Sequence, residues 1–146
     1  MIDLSRKLPI GIQTFEKLRK EGYLYVDKTA LVWQMVSTST PYFLSRPRRF
    51  GKSLLVSTLD AYFRGRKDLF QGLAMERLEK EWNVYPVLHI DFSMTKYTTM
   101  ADLNERLNLQ LCEWERIYGS APEEEGYAAR FSGIIKRAYQ QTGLQV

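Results

Sequence analysis

Apolar residues recur at helical spacing along most of the chain, interrupted by a few short continuous runs. Residues 13–20 (QTFEKLRK) read as a helix that ends before Gly22, and 23–26 (YLYV) as a short extended piece. Along 28–36 (KTALVWQMV) Leu31, Val32, Met35 and Val36 share one helical face, with Asp27 placed as its N-cap. STSTP at 37–41 predicts a turn, and Tyr42-Phe43-Leu44 a short apolar strand. A helix over about 52–63 presents Leu55, Leu59, Tyr62 and Phe63 and stops at Gly65, and a shorter one covers 72–81. Pro86–Phe92 is a continuous apolar run, the pattern of a strand covered on both faces. Thr99 and Asp102 form a capping pair for a helix bearing Leu103, Leu107, Leu111, Trp114 and Tyr118, with Gly119 as its stop. The last helix, about 123–141, turns Tyr127, Phe131, Ile134, Ile135 and Ala138 inward and ends at Gly143; Leu144-Gln145-Val146 reads as the opening of another strand.

Strand, helix, strand, helix, strand-start is the alternation of an α/β domain with a parallel sheet flanked by helices. In such a sheet the ligand lies beyond the carboxyl ends of the strands, which places residues 45–53 at the expected site.

Composition narrows the classes. The 146 residues suffice for one domain with a real core. No run of about 18 apolar residues spans a membrane, and MIDLSRKLPIGIQ lacks a signal-peptide core. A single cysteine, Cys112, forms no internal disulfide and fits a reducing, cytoplasmic setting. With one cysteine and one histidine, a zinc site is nearly excluded, and no GxSxG elbow supports a serine hydrolase. His89 reads as a packed strand residue and Cys112 as an inert helical thiol. The net charge of +4 is only mildly basic; its distribution says more. Arg46, Arg48 and Arg49 fall within four residues with Lys52 close behind, whereas Glu123–Glu125 reads as a solvated run complementing a helix N-terminus.

The basic cluster contains the candidate chemistry. In FLSRPRRFGKSLL, residues 43–55, an apolar strand candidate precedes Gly51-Lys52-Ser53 and a helix follows directly. A phosphate-binding loop needs those parts: converging N–H groups at a helix N-terminus, a lysine near the β and γ phosphates, and a hydroxyl on Mg²⁺. GK[ST] alone is weak, since it arises by chance in roughly one chain of this length in fourteen. Arg46 stands where such a loop has its first glycine, and Pro47 fixes the backbone φ beside it. From the residues alone, two readings stay open: a nucleotide site with an unusual loop, and a basic surface turn that meets nucleic acid or an acidic partner.

SRPRRFGKSLLVSTL (45–59) resembles the signature of the bacterial AAA-ATPase-like family, whose loop reads RPRRFGKS. LPIGIQTFEKL (8–18), YVDKT (25–29) and YPVLHIDFS (85–93) are similar to that family as well. The resemblance explains Arg46 as the family's own pattern. It implies a P-loop domain in which residues 1–40 are an N-terminal helical extension and 41–146 a partial nucleotide-binding core. It implies ATP and Mg²⁺ as cofactors, held by Arg46, Pro47, Arg48, Arg49, Phe50, Gly51, Lys52, Ser53 and Leu54, with Ser53 on the metal. Members often carry a nuclease-like domain of the PD-(D/E)XK type downstream, through which nucleic acid becomes a partner.

Hydrolysis needs an acid at the end of a second strand. Asp91, ending VLHID, is the tempting residue, but Phe92 and Ser93 follow it rather than a second acid. The family's pattern puts the magnesium acid on a later strand, whose start resembles Gly143–Val146. The expectation is therefore a P-loop domain incomplete at its C-terminus. It would bind nucleotide with weak or no hydrolysis, with no catalytic residue assigned, and self-associate through an exposed sheet edge.

Overall fold

The computed structural model describes residues 7–38, 40–92 and 98–146. Ser39 of the predicted turn, the first six residues of the expected N-terminal extension, and Ser93 at the end of the 85–93 motif lie outside the described residues. Among the described residues six α-helices form in the order α1 (Phe15–Lys20), α2 (Thr29–Val36), α3 (Lys52–Phe63), α4 (Ala74–Leu78), α5 (Met100–Tyr118) and α6 (Gly126–Thr142), with a 3-10 turn at Lys67–Phe70.

The parallel α/β sheet expected from the sequence is absent: no strand occurs among the described residues. Tyr42–Leu44, Pro86–Phe92 and Leu144–Val146 have the composition of strands but do not form strands. A strand exists only where a neighbour takes its N–H and C=O groups, and a run of β-favouring side chains does not supply one. Phe43 is 93% exposed instead of covered. The sheet edge expected to drive self-association is missing with the sheet. His89, expected inside a packed strand, is exposed.

The chain divides into two compact units, one ending at Val84 and one spanning Tyr85–Val146. In the first, Phe15, Val32, Ala61, Leu69, Phe70, Leu73 and Met75 form the core. Phe15 and Leu18 lie three apart on α1, so both point inward. Phe15 meets the Phe70 ring at 4.9 Å and the Tyr25 ring edge-on at 5.3 Å. Burying a ring such as Phe70 contributes about 2–3 kcal/mol. Arg19 fixes the 3-10 turn from outside, its Nε donating to the Leu69 carbonyl at 2.8 Å.

Polar ties complete this unit. Lys28, not Asp27, occupies the N-cap position of α2, but the Asp27 carboxylate does the capping. It accepts from the Thr29 amide (2.8 Å), the Thr29 hydroxyl (2.7 Å) and the Ala74 amide at the start of α4 (2.7 Å). Burial pushes the Asp27 carboxyl up, but the Thr29 hydroxyl, the Thr29 and Ala74 amides and the Arg19 charge outweigh it, and the group lies below its ordinary range. The buried Thr29 hydroxyl also accepts from the Met75 amide at 3.0 Å. The YVDKT stretch is thus a bracket joining α2 to α4.

In the second unit α5 and α6 form a helical hairpin around Leu111, Trp114 and Ile134, with Leu88, Tyr118 and Phe131 packed on them. Thr99 and Asp102 make the predicted reciprocal capping box, and Gly119 and Gly143 end the two helices. α6 starts at Gly126, later than its pattern suggested, because Glu124 leaves the helix end to pair with Arg137. A second pair, Arg130–Glu115 at 2.7 Å, is bidentate and mostly buried.

Candidate functional site

The loop 46–51 runs into α3, and its geometry follows from two left-handed residues. Gly51 is the N-cap of α3 at φ 77, with open space where a Cβ would stand. Arg49 also adopts positive φ, 66, which a non-glycine residue reaches at a cost of roughly 1–2 kcal/mol. These two reversals turn the chain between Pro47 and the start of α3. The first N–H groups of α3, on Lys52, Ser53 and Leu54, have no intrahelical acceptor, and no described group takes them. The helix dipole adds positive potential at the same place.

Lys52 folds back over the loop. Its Nζ donates to the Arg46 carbonyl and to the Pro47 carbonyl, the latter at 3.0 Å. The ammonium is therefore held by the loop's own carbonyls. Ser53 is exposed on the first turn of α3.

Two cavities flank the loop. One, of about 860 Å³, is lined by Arg48, Arg49, Gly51, Lys52, Ser53 and Leu54 on one side and by residues 9–13 on the other. The other, of about 670 Å³, is mostly apolar, with Tyr25, Val32, Met35 and Leu55 among its walls. Arg46 and Phe50 face this second cavity, so the arginines of the RPRR run diverge into two spaces. Gly51 and Leu54 line both, whereas Pro47 lines neither and contributes its carbonyl to Lys52.

The sequence reading did not place residues 9–13 at the loop. The far side of the cavity is held there by α3 itself: Ser57 Oγ accepts from the Phe15 amide at 2.9 Å, and its one proton lies between the Leu54 carbonyl at 2.9 Å and the Gln13 carbonyl at 3.3 Å. The signal present in the sequence there was the resemblance of LPIGIQTFEKL (8–18) to the family, which does not say what the segment packs against.

No carboxylate lines either cavity, and no cluster of three or more His, Cys, Asp or Glu residues suited to a metal occurs among the described residues. Asp91 lies in the second unit. Cys112, also there, is a free thiol with the Arg130 guanidinium 3.4 Å from its sulfur. No helix among the described residues is long and apolar enough to cross a membrane.

A basic loop at a helix N-terminus, opening on a cavity to which no described acid contributes, defines an arrangement suited to anions. A family profile described as "Predicted AAA-ATPase" matches residues 9–146, and the chain belongs to that family. It is 41% identical over 142 residues to a protein of Azotobacter chroococcum mcd 1 described as an uncharacterized protein in the vnfD 5′ region. That match covers 97% of this chain and 28% of the relative, so the chain spans little more than a quarter of the relative's length. No solved structure matches the chain.

Proposed function

We propose that the chain binds the phosphates of ATP, with Mg²⁺, through residues 46–54. The observation that carries this reading is the loop's end: an open, left-handed Gly51 followed by three unsatisfied amides and Lys52. Successive N–H groups at such a turn are suited to phosphate oxygens, and the absent Cβ leaves room for them. Membership of a family described as predicted AAA-ATPase supports the same ligand. Lys52 would exchange the Arg46 and Pro47 carbonyls for phosphate oxygens, and Ser53 Oγ would hold Mg²⁺. Held there, the metal would neutralise phosphate charge. No described carboxylate lines the cavity to orient a water, so this chain hydrolyses ATP slowly or not at all.

Thermal unfolding of wild type and Lys52→Ala, with and without saturating Mg-ATP, tests the proposal. A ligand at about 100 times its dissociation constant stabilises the fold by about 2.7 kcal/mol. Wild type shifts upward and Lys52→Ala does not. A cooperative wild-type transition unmoved by Mg-ATP refutes nucleotide binding. The exposure of Arg48 and Arg49 favours one other reading, contact with a polyanion such as nucleic acid. Binding of that kind weakens steeply with salt and survives Lys52→Ala.

A further inference from the structure

The stretch from Tyr42 to Phe50 carries two kinds of side chain that the fold does not use. The first is cationic. Arg46, Arg48 and Arg49 are exposed and form no ion pair among the described residues. Arginines elsewhere are paired: Arg64 with Asp60, Arg66 with Glu16 and Asp68, Arg130 with Glu115, and Arg137 with Glu124. Like charges this close in sequence repel one another, and a bound polyanion relieves the repulsion.

The second kind is aromatic. Phe43 is 93% exposed and Phe50 67%, and Tyr42 is exposed beside Phe43. The core rings of the same unit meet one another, Phe15 with Tyr25 and Phe70, and Tyr62 with Phe63 and Trp82; Tyr42, Phe43 and Phe50 join none of these pairs. A phenyl ring left in water forgoes the gain of burial, so three in one short stretch are a feature to explain. Two rings precede the arginines and one follows them. Single-stranded nucleic acid has the matching chemistry, an anionic phosphate and an open flat base at every nucleotide. Arginine suits the first by bidentate contact, and an aromatic ring suits the second by stacking. A duplex offers the phosphates but keeps its base faces stacked on each other, and an acidic peptide offers charge without flat faces.

We infer that Tyr42–Phe50 is a docking surface for single-stranded nucleic acid, with Arg46, Arg48 and Arg49 on phosphates and Phe43 and Phe50 stacked on bases. This rests on the second reading above, contact with a polyanion, and narrows it to a strand with unpaired bases. Arg48 and Arg49 also line the cavity beside the loop, so a strand and a triphosphate draw on the same cations and compete.

The test is fluorescence anisotropy of a labelled oligothymidylate, with a DNA duplex of equal length and heparin as competitors. It compares wild type, Phe43→Ala, Phe43→Trp, and Arg48→Gln with Arg49→Asn. Asparagine tolerates the left-handed backbone at position 49, and position 43 is too exposed for either change there to disturb the core. Wild type should prefer the single strand to the duplex at least about fivefold, and Phe43→Ala should lose about fivefold or more in affinity while Phe43→Trp regains it. The arginine double variant should flatten the log–log salt dependence by about 1.4, the effect of two lost phosphate contacts on a single strand. Equal affinity for oligothymidylate, duplex and heparin, unchanged in Phe43→Ala, overturns the stacked strand and leaves polyanion contact standing. If wild type binds none of the three, polyanion contact itself fails and the strand with it, while the Mg-ATP thermal shift still decides the nucleotide site. If wild type self-associates, and Phe43→Ala dissociates it without changing oligothymidylate affinity, the ring serves an interface between copies and the proposal is overturned.

Discussion

Gly133 sits in the middle of α6, where glycine costs about 1 kcal/mol relative to alanine. Its reason is the neighbour. A Cβ there would stand 1.8 Å from a Glu124 carboxylate oxygen, because Glu124 lies across the helix to reach the Arg137 guanidinium. That guanidinium holds the Glu124 carboxyl below its ordinary range. The obstruction is the tip of a flexible side chain, so Gly133→Ala displaces Glu124 rather than the backbone. We expect Gly133→Ala alone to leave stability nearly unchanged, the helix gain offset by the lost ion pair. In a Glu124→Ala background, where nothing blocks the methyl, the same change should stabilise by about 1 kcal/mol. Urea denaturation of the four proteins in the cycle measures this; an equal effect in both backgrounds would show that Glu124 does not occupy that space. Gly51 is the opposite case, with nothing near its absent side chain, and its vacancy faces the proposed ligand.

At the scale of elements, the α5 start shows what a local pattern can specify. The Asp102 carboxylate accepts from the Thr98 hydroxyl at 2.8 Å and from the Thr98 and Thr99 amides at 2.9 Å each. The Thr98 hydroxyl first, then those amides, hold its pKa down to about 2, below the ordinary 3.8. A depressed folded value means that the carboxylate's contribution is fully present above pH 3.8 and is lost as pH falls through about 2. The Thr98 and Thr99 amide shifts should therefore titrate near 2, and Asp102→Asn should flatten the stability of α5 across that window. A titration midpoint at 3.8 would mean that the capping box is not formed in solution. This box was legible because Thr99 and Asp102 are three residues apart and need nothing else. The same holds for α3 and α5, whose ends match the pattern closely. The runs at Tyr42–Leu44 and Pro86–Phe92 failed as strands because pairing is a property of two segments, and sequence periodicity describes one. The site divides likewise. Gly51, Lys52 and Ser53 are consecutive and readable, whereas the wall at Pro9–Gln13 reaches them only through Phe15, Gln13 and Ser57, about 40 residues away in sequence.

For the whole molecule, the two units carry separate aromatic reporters. Trp33 and Trp82 pack on the core of the first, and Trp82 lies 5.1 Å from the Phe70 ring. Trp114 is buried in the second against Phe131, at 5.9 Å. Each unit has its own apolar cluster and its own polar ties, the Asp27 bracket in one and the Arg130–Glu115 pair in the other. Cooperative unfolding as a single step requires that losing one cluster remove the support of the other. The described contacts give each cluster internal support, so we expect two transitions. Trp33→Phe with Trp82→Phe leaves Trp114 to report the helical hairpin, and Trp114→Phe leaves the other two to report the loop-bearing unit. Fluorescence-detected urea unfolding of the two variants should give different midpoints. Mg-ATP should move only the transition of the unit that contains residues 9–54, because a ligand stabilises the state that binds it and nothing independent of that state. Coincident midpoints that shift together with Mg-ATP would show the two units to be one cooperative body, and would assign the hairpin a part in ligand binding.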